Sequence, residues 1–341
     1  MRVNFFIAAA LAALAMGGLA RPAFADCKMI QVAELRLDPQ WYGVVADGQI
    51  NGQPVKVAID TGASLSMISR SAAVKMGLTI GPLPGLTVYG IGGQRNGYGA
   101  SVKSLQIGNL VADNRMFAAS DGLGDPQIAM ILGNDMLAQF DVEFDLPDHV
   151  MRLFKPEGCV ADQLAYWNKP YSLAPLLATD RDSPSIRMPV SLNGHTISAV
   201  LDTGAGSSVV DATVAGRVGV VIDTSVTTAP ARGIGQEARS VKIGQFKTFA
   251  LGEEQISNVR LELIRLVADM QTTDQQTDTH IAQSVNGDVE AMMLIGQDFL
   301  HSHRVLVANR EHALLFSYLG GPVFATPEAT AKPPPAKAAQ Q

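Results

Sequence analysis

An apolar run that stops at Asp-Thr-Gly occurs twice in this sequence, as Ala58-Ile59-Asp60-Thr61-Gly62-Ala63 and as Val200-Leu201-Asp202-Thr203-Gly204-Ala205. The two copies stand 142 residues apart, and the correspondence extends on both sides. Asn51-Gly52 falls on Asn193-Gly194, Val55 and Val57 on Ile197 and Ala199, and Gly77 on Gly219. A period of this length is that of a whole domain rather than a solenoid unit. The chain is therefore expected to build one fold twice. A carboxylate closing a buried run is of no use to a core, because desolvating it is costly. Duplication of a stable fold with no shared site would not call for it. Two carboxylates at matching points indicate two half-sites that meet.

The chain has 341 residues, enough for two lobes with real cores. It is 47% apolar with a mean hydropathy of +0.14, which places it with folded rather than disordered chains. With 32 Gly and 18 Pro against 17% charged residues, it reads as turn-rich and mainly β. The net charge is −6 with no long basic run, so nucleic acid is not an expected partner.

The first 25 residues read as a signal peptide. Arg2 supplies the positive start, Phe5 to Leu14 the apolar stretch, and Ala23-Phe24-Ala25 a small-x-small cleavage site before Asp26. The apolar stretch is short and Arg21-Pro22 interrupts it, so no stable membrane anchor is expected. The protein is expected to be exported, either periplasmic or secreted. Cys27 and Cys159 would then reach an oxidising compartment, and their spacing leaves a disulfide and two separate thiols equally open.

Along the chain, 26–155 reads as the N-terminal lobe, 156–185 as a linker and 186–319 as the C-terminal lobe. Residues 320–341, with Pro333-Pro334-Pro335, read as a disordered tail. Residues 26–40 form a lead-in. Trp41 to Asp60 is a β-hairpin turning at Asn51-Gly52, and its second strand delivers Asp60 to the loop at its end. A short helix follows each triplet, N-capped at Ser69 and Asp211 and ended at Gly77 and Gly219. Gly90-Ile91-Gly92-Gly93, preceded by Tyr89, is echoed by Gly233-Ile234-Gly235. Glycines this dense suit a mobile hairpin tip or a close backbone approach to a ligand. Ile131-Leu132-Gly133-Asn134-Asp135 recurs as Leu294-Ile295-Gly296-Gln297-Asp298 at an offset of 163. The second lobe thus carries about 20 extra residues, assigned to a polar loop at 269–288 that could gate the site.

Two carboxyls brought face to face cannot both ionise, so the pair holds one proton. One oxygen can take a proton from water while the protonated partner hydrogen-bonds a substrate carbonyl. Attack of water on an amide needs both functions, and needs neither a metal nor a covalent intermediate. Gly62 and Gly204 allow the loops to approach, and the hydroxyls of Thr61 and Thr203 can fix the loop backbones. Glycine-rich hairpins can close over an extended peptide. His301-x-His303 has strand spacing without a third ligand nearby and is read as no metal site. No nucleophilic-serine, zinc or phosphate-loop motif is present, and no cofactor is expected.

These residues resemble the aspartic peptidases of the pepsin and retropepsin superfamily, most of all bacterial retropepsin-like enzymes with two lobes in one chain. The resemblance rests on Asp-Thr-Gly-Ala, the Gly-Ile-Gly segment and the apolar-apolar-Gly-x-Asp motif, in that order in each lobe, over residues 41–155 and 186–318. It implies an all-β, bilobal, pseudo-twofold fold and endopeptidase activity on proteins or peptides. It further implies that Asp60 and Asp202 are catalytic and that Thr61 and Thr203 brace them. Gly133, Asp135, Gly296 and Asp298 are implied to support the loops from below, and Tyr89–Gly93 and Gly233–Gly235 to be flaps. Two flaps depart from the pepsin pattern, and Tyr89 stands nearer to Asp60 than the pepsin flap tyrosine does. Ala63 and Ala205 replace the Ser or Thr of pepsins. The missing hydroxyls predict a pair less acidic than in pepsin, with activity reaching toward neutral pH. A non-catalytic peptide-binding protein on the same scaffold is the competing reading. A homodimer in which each lobe pairs with its twin is a third; a monomer is expected, because one chain holds both half-sites.

Overall fold

The computed structural model describes residues 26–91, 93–167, 169–178, 184–225, 228–233, 237–266 and 292–324. The stretch 1–25 read as a signal peptide, the segment 269–288 read as a loop and the residues beyond 324 lie outside the described residues, as do Gly92, Ile234 and Gly235.

The chain begins with β1 (Gln31–Arg36) and then builds its first lobe. This runs β2 (Val45–Ile50), β3 (Gln53–Ile59), β4 (Met67–Ser69), α1 (Arg70–Lys75), β5 (Thr79–Gly90), β6 (Gly93–Ile107), β7 (Leu110–Ser120), β8 (Ile128–Leu132) and α2 (Asn134–Leu137). Strands β9 (Asp141–Asp145) and β10 (Val150–Phe154) follow, and then β11 (Ser172–Pro175). The second lobe runs β12 (Arg187–Leu192), β13 (His195–Leu201), β14 (Val209–Asp211), α3 (Ala212–Arg217), β15 (Val221–Asp223), β16 (Lys242–Leu251), β17 (Glu254–Ile264), β18 (Met292–Ile295) and α4 (Gln297–Leu300). Strands β19 (His303–Ala308) and β20 (Ala313–Tyr318) close the chain.

The duplication is visible in the sheets. Lobe one is a seven-stranded sheet ordered β2-β3-β8-β4-β7-β6-β5, curled so that β2 also pairs with β6. Lobe two repeats the order as β12-β13-β18-β14-β17-β16-β15, with β12 on β16. Both hairpins turn at Asn-Gly. Asn51 and Gly52 have φ of 51° and 77°, and Asn193 and Gly194 have 51° and 84°. A two-residue turn matched to the strand twist needs positive φ at both positions, which this dipeptide tolerates best. The helices differ at their starts. The Asp211 carboxylate accepts from the Thr213 N–H, whereas Ser69 makes no side-chain cap. Gly77 and Gly219, at φ of 70° and 67°, end them as expected.

A third, six-stranded sheet joins the lobes in the order β1-β10-β9-β19-β20-β11. Its central seam is the antiparallel pair β9–β19, one strand from each half of the chain. The lead-in at 26–40 therefore contributes the edge strand β1. The segment 156–185 contributes a 3-10 turn at Ala161–Gln163 and the opposite edge strand β11. Cys27 and Cys159 are joined by a disulfide, with sulfurs 2.13 Å apart, beside the Lys28–Glu157 bridge at the β1 edge. One continuous core runs through both lobes and this sheet, from Leu35 through Ile59 and Phe144 to Leu201, Phe299 and Phe316. Strand alternation puts Val57 and Ile59 into that core, and likewise Ala199 and Leu201. The residues at the next positions along these strands are the paired aspartates.

Candidate active site

Each aspartate is held where its strand stops. The Asp60 N–H donates to the Leu132 carbonyl on β8 (3.0 Å), and the Asp202 N–H donates to the Ile295 carbonyl on β18 (2.9 Å). Both loops are thereby hung from the neighbouring parallel strand of their own sheet.

The loops are bound to each other through the two threonines. The Thr61 N–H donates to Thr203 Oγ1 (2.9 Å), and the Thr203 N–H donates to Thr61 Oγ1 (3.0 Å). Each hydroxyl donates a hydrogen bond across the interface, Thr61 Oγ1 to the Leu201 carbonyl and Thr203 Oγ1 to the Ile59 carbonyl, both at 2.7 Å. Thr61 and Thr203 are fully buried. These four bonds satisfy backbone groups that have no access to water, and they run crosswise between the lobes. Breaking either hydroxyl leaves buried donors and acceptors unpaired.

The frame brings the carboxyls of Asp60 and Asp202 into hydrogen-bond contact with each other. Gly62 and Gly204 make that approach feasible. A Cβ on Gly62 would stand 2.5 Å from the Asp202 carboxyl, and one on Gly204 would stand 2.6 Å from the Asp60 carboxyl. No side chain fits at either position. The same glycines donate, the Gly62 N–H to Asp60 Oδ1 and the Gly204 N–H to Asp202 Oδ1, both at 2.9 Å, and Ala205 N–H adds a bond to Asp202 at 3.1 Å.

The electrostatics follow. Burial, and after it the charge of Asp60 alongside, raise Asp202 to about 8 against the opposing N–H bonds of Gly204 and Ala205. Burial also raises Asp60, while the Gly62 N–H and the bond from Asp202 hold it down. Both acids are raised by burial, Asp60 restrained by its donors and Asp202 pushed further by the charge of Asp60, so the pair keeps a single proton across the interval between them. Ala63 and Ala205 have no hydroxyl to give the ionised forms. The arrangement can deprotonate a water with one oxygen and donate to a carbonyl with another.

Beneath the loops the second motif acts as a shelf. A Cβ on Gly133 would meet the Ala63 carbonyl at 2.8 Å, and one on Gly296 would meet Ser207 at 2.6 Å and the Ala205 carbonyl at 2.8 Å. Asp135 Oδ1 accepts from both the N–H (2.8 Å) and the hydroxyl (2.6 Å) of Ser66, and Asp298 does the same for Ser208 at 2.9 and 2.6 Å. Those hydroxyls accept in turn from the N–H groups of Gly133 and Gly296. Burial raises Asp298 to about 6. The amides of Asn134 and Gln297 donate to the Thr61 and Thr203 carbonyls, each at 2.6 Å. Ser66, Ser208, Asn134 and Gln297 were not singled out from sequence as site residues. The serines keep the 142-residue offset and the amides the 163-residue offset, which is the signal that would have found them.

Among the flap residues, Gly90 and Gly93 pair at the top of the long β5–β6 hairpin, with Tyr89 opposite Gln94 one step below. Ile91 leaves that tip and meets Gly233 of the other lobe, where a Cβ would lie 2.8 Å from the Ile91 Cβ and carbonyl oxygen. Among the described residues near Gly233, the second lobe pairs at the Ala231–Arg239 bridge. The two histidines serve other ends. His301 Nε2 lies 3.0 Å from the Tyr42 carbonyl, and His303 is buried against Phe299 with Nε2 3.0 Å from Glu254.

Comparison with protein families gives two matches in tandem. Residues 46–139 match a family described as gag-polyprotein putative aspartyl protease, and residues 188–299 match one described as aspartyl protease. No curated protein matches the chain. Each match contains one Asp-Thr-Gly triplet and the Gly-x-Asp shelf of its lobe.

Proposed function

We propose that this chain, which belongs to the retropepsin-like aspartic peptidases with two lobes in tandem, hydrolyses peptide bonds by a water activated between Asp60 and Asp202. The observation that carries the reading is the pair itself. Two carboxyls from separate lobes share a hydrogen bond inside a frame that cross-links their loops. Two mutually repelling acids buried side by side cost stability, so their apposition marks a functional pair rather than a structural one. The ionised member takes a proton from water as that water attacks the carbonyl carbon. The protonated member donates to the carbonyl oxygen as negative charge develops there, and the proton then passes to the leaving amine.

The substrate is a protein or peptide lying extended under the β5–β6 hairpin, whose tip spans the two lobes at Ile91 and Gly233. The working unit is one chain, since both half-sites are present in it. We propose export as well, on the basis of the leader at 1–25, and the disulfide between Cys27 and Cys159 fits an oxidising compartment.

The test is digestion of a diverse peptide mixture by the unaltered protein and by Asp60→Asn and Asp202→Asn. Cleavage is expected only from the unaltered protein. Peptides that bind without being cut would move the assignment to a binding protein on this scaffold.

A further inference from the structure

A short segment runs beside the end of each strand that carries an aspartate. The Ile59 N–H donates to the Val44 carbonyl at 2.8 Å, and the Leu201 N–H donates to the Ile186 carbonyl at 2.9 Å. Both partners keep the 142-residue offset, so the segments are copies of each other. The first one also reaches the other lobe. Just before Val44, a Cβ on Gly43 would stand 3.2 Å from Gln297 Nε2, the nitrogen that donates to the Thr203 carbonyl at 2.6 Å. One residue earlier, the Tyr42 ring lies 4.3 Å from the His301 ring, and the Tyr42 carbonyl is 3.0 Å from His301 Nε2. A carbonyl can only accept, so Nε2 carries the hydrogen. His301 closes α4, its N–H donating to the Gln297 carbonyl at 2.8 Å. Tyr42 and Gly43 of lobe one thus touch both ends of the helix whose amide holds the Asp202 loop.

This contact breaks the twofold relation that the four threonine bonds and the two shelf amides obey. At the same offsets Pro184 stands for Tyr42, Ser185 for Gly43 and Ala138 for His301. Those residues have no aromatic ring to stack and no imidazole N–H to give. Burial, and after it the charge of Asp298, push the Tyr42 hydroxyl up to about 12, as expected of a ring lying against the lobe-two shelf.

We propose that Tyr42 and His301 are positioning residues of the reaction: they form a one-sided clamp that fixes α4 and, through the Gln297 amide, the loop that presents Asp202. The inference rests on the peptidase reading and deepens it. Two acids related by a twofold axis are interchangeable, whereas the reaction needs one to hold the proton and the other to take one. A brace on one loop alone removes that equivalence. Burial lowers the His301 imidazole, the Tyr42 carbonyl opposes it and the charge of His149 adds to it. Nε2 donates to the carbonyl with or without a second proton on the ring, so the clamp itself stays shut as pH changes.

The experiment measures kcat, KM and melting temperature for Tyr42→Ala, His301→Ala, the double variant, Tyr42→Phe and His301→Gln, on a peptide that the unaltered protein cuts. Tyr42 is 43% exposed, and neither ring belongs to an apolar cluster among the described residues, so alanine empties no core space. Each alanine variant should lose about tenfold in kcat with KM within about twofold. The double variant should be no worse than the poorer single one, because both open the same clamp. A slack loop admits water to Asp202, so the alkaline limb of kcat/KM should move down by about one pH unit. Tyr42→Phe keeps the ring and the carbonyl, and His301→Gln keeps an N–H donor, so both should stay within about threefold of the unaltered protein. Unchanged kcat in the alanine variants, losses that multiply in the double variant, or a lower melting temperature with the limb unmoved each overturn the clamp and leave the peptidase reading standing. Where an alanine variant fails to fold, Gly43→Ala sets one methyl against the Gln297 amide, and unchanged kcat and limb there overturn the clamp equally. No cleavage by the unaltered protein overturns the peptidase reading and the clamp with it.

Discussion

Replacing Thr203 by valine tests the cross-lobe frame with almost no change in side-chain shape. The hydroxyl of Thr203 accepts from the Thr61 N–H at 2.9 Å and donates to the Ile59 carbonyl at 2.7 Å, in a position with no access to water. Valine removes both bonds and leaves one donor and one acceptor buried without partners. Each such group costs about 1–3 kcal/mol, so the variant should lose about 2–6 kcal/mol. That is a large share of the 5–15 kcal/mol typical of a folded protein. At about 2–4 °C per kcal/mol the melting temperature should fall by roughly 10 °C. Thr203→Ser keeps the hydroxyl and loses one methyl, which should cost about 1 kcal/mol. Activity should follow the frame. Well below the melting point, kcat in Thr203→Val should drop about hundredfold with a smaller change in KM, because the carboxyls lose alignment rather than chemistry. The assays are thermal denaturation and steady-state cleavage, side by side for both variants. A Thr203→Val protein that melts within about 2 °C of the unaltered one would refute the claim that these bonds carry load.

The remaining predictions concern the acids, their glycines and the covalent tie. Asp202 is raised to about 8 and the reactive pair needs one proton, so kcat/KM should fall as pH rises through about 8. Burial raises Asp60 above the ordinary aspartate range, so the acid limb should begin above that range, and a rate maximum below about pH 3 would contradict the assignment. Gly204→Ala puts a methyl 2.6 Å from the Asp60 carboxyl, so kcat/KM should fall at least about hundredfold; near-normal cleavage would mean the carboxyls are not apposed as described. The disulfide spans 132 residues, and Cys27→Ser should cost about 2–4 kcal/mol in urea denaturation, with dithiothreitol having the same effect on the unaltered protein.

The aspartates were legible because a duplicated motif reports itself. Apolar strand, Asp-Thr-Gly, helix and shelf recur at fixed offsets, and the physics of an isolated carboxylate does the rest. The hairpin turns were equally plain, since Asn-Gly at positive φ has few other uses. The sheet joining the lobes was not legible. Phe140 to Phe144 and Arg304 to Val307 alternate as strands do, but alternation names a face and not a partner, and β9 meets β19 across more than 150 residues. β11 reads Ser-Leu-Ala-Pro, too short and too near a proline to register as a strand by itself. Ser66 and Ser208 were hidden for a similar reason. A serine is common, and its bond to Asp135 or Asp298 requires that residues 69 or 90 positions apart be adjacent. The crossing of Ile91 into lobe two depends on the reach of the hairpin and on which apolar residues face away from the core. The glycines around it signalled a tip without saying where the tip would rest.

The central claim is that Asp60 and Asp202 form one site within one chain. The most direct measurement is peptide cleavage by Asp60→Asn, by Asp202→Asn and by an equimolar mixture of the two, each set against the unaltered protein. The account predicts no cleavage in any of the three, because every molecule in the mixture still lacks one acid. Cleavage surviving in either single variant would contradict the shared pair, and activity regained on mixing would mean that the half-sites meet between chains.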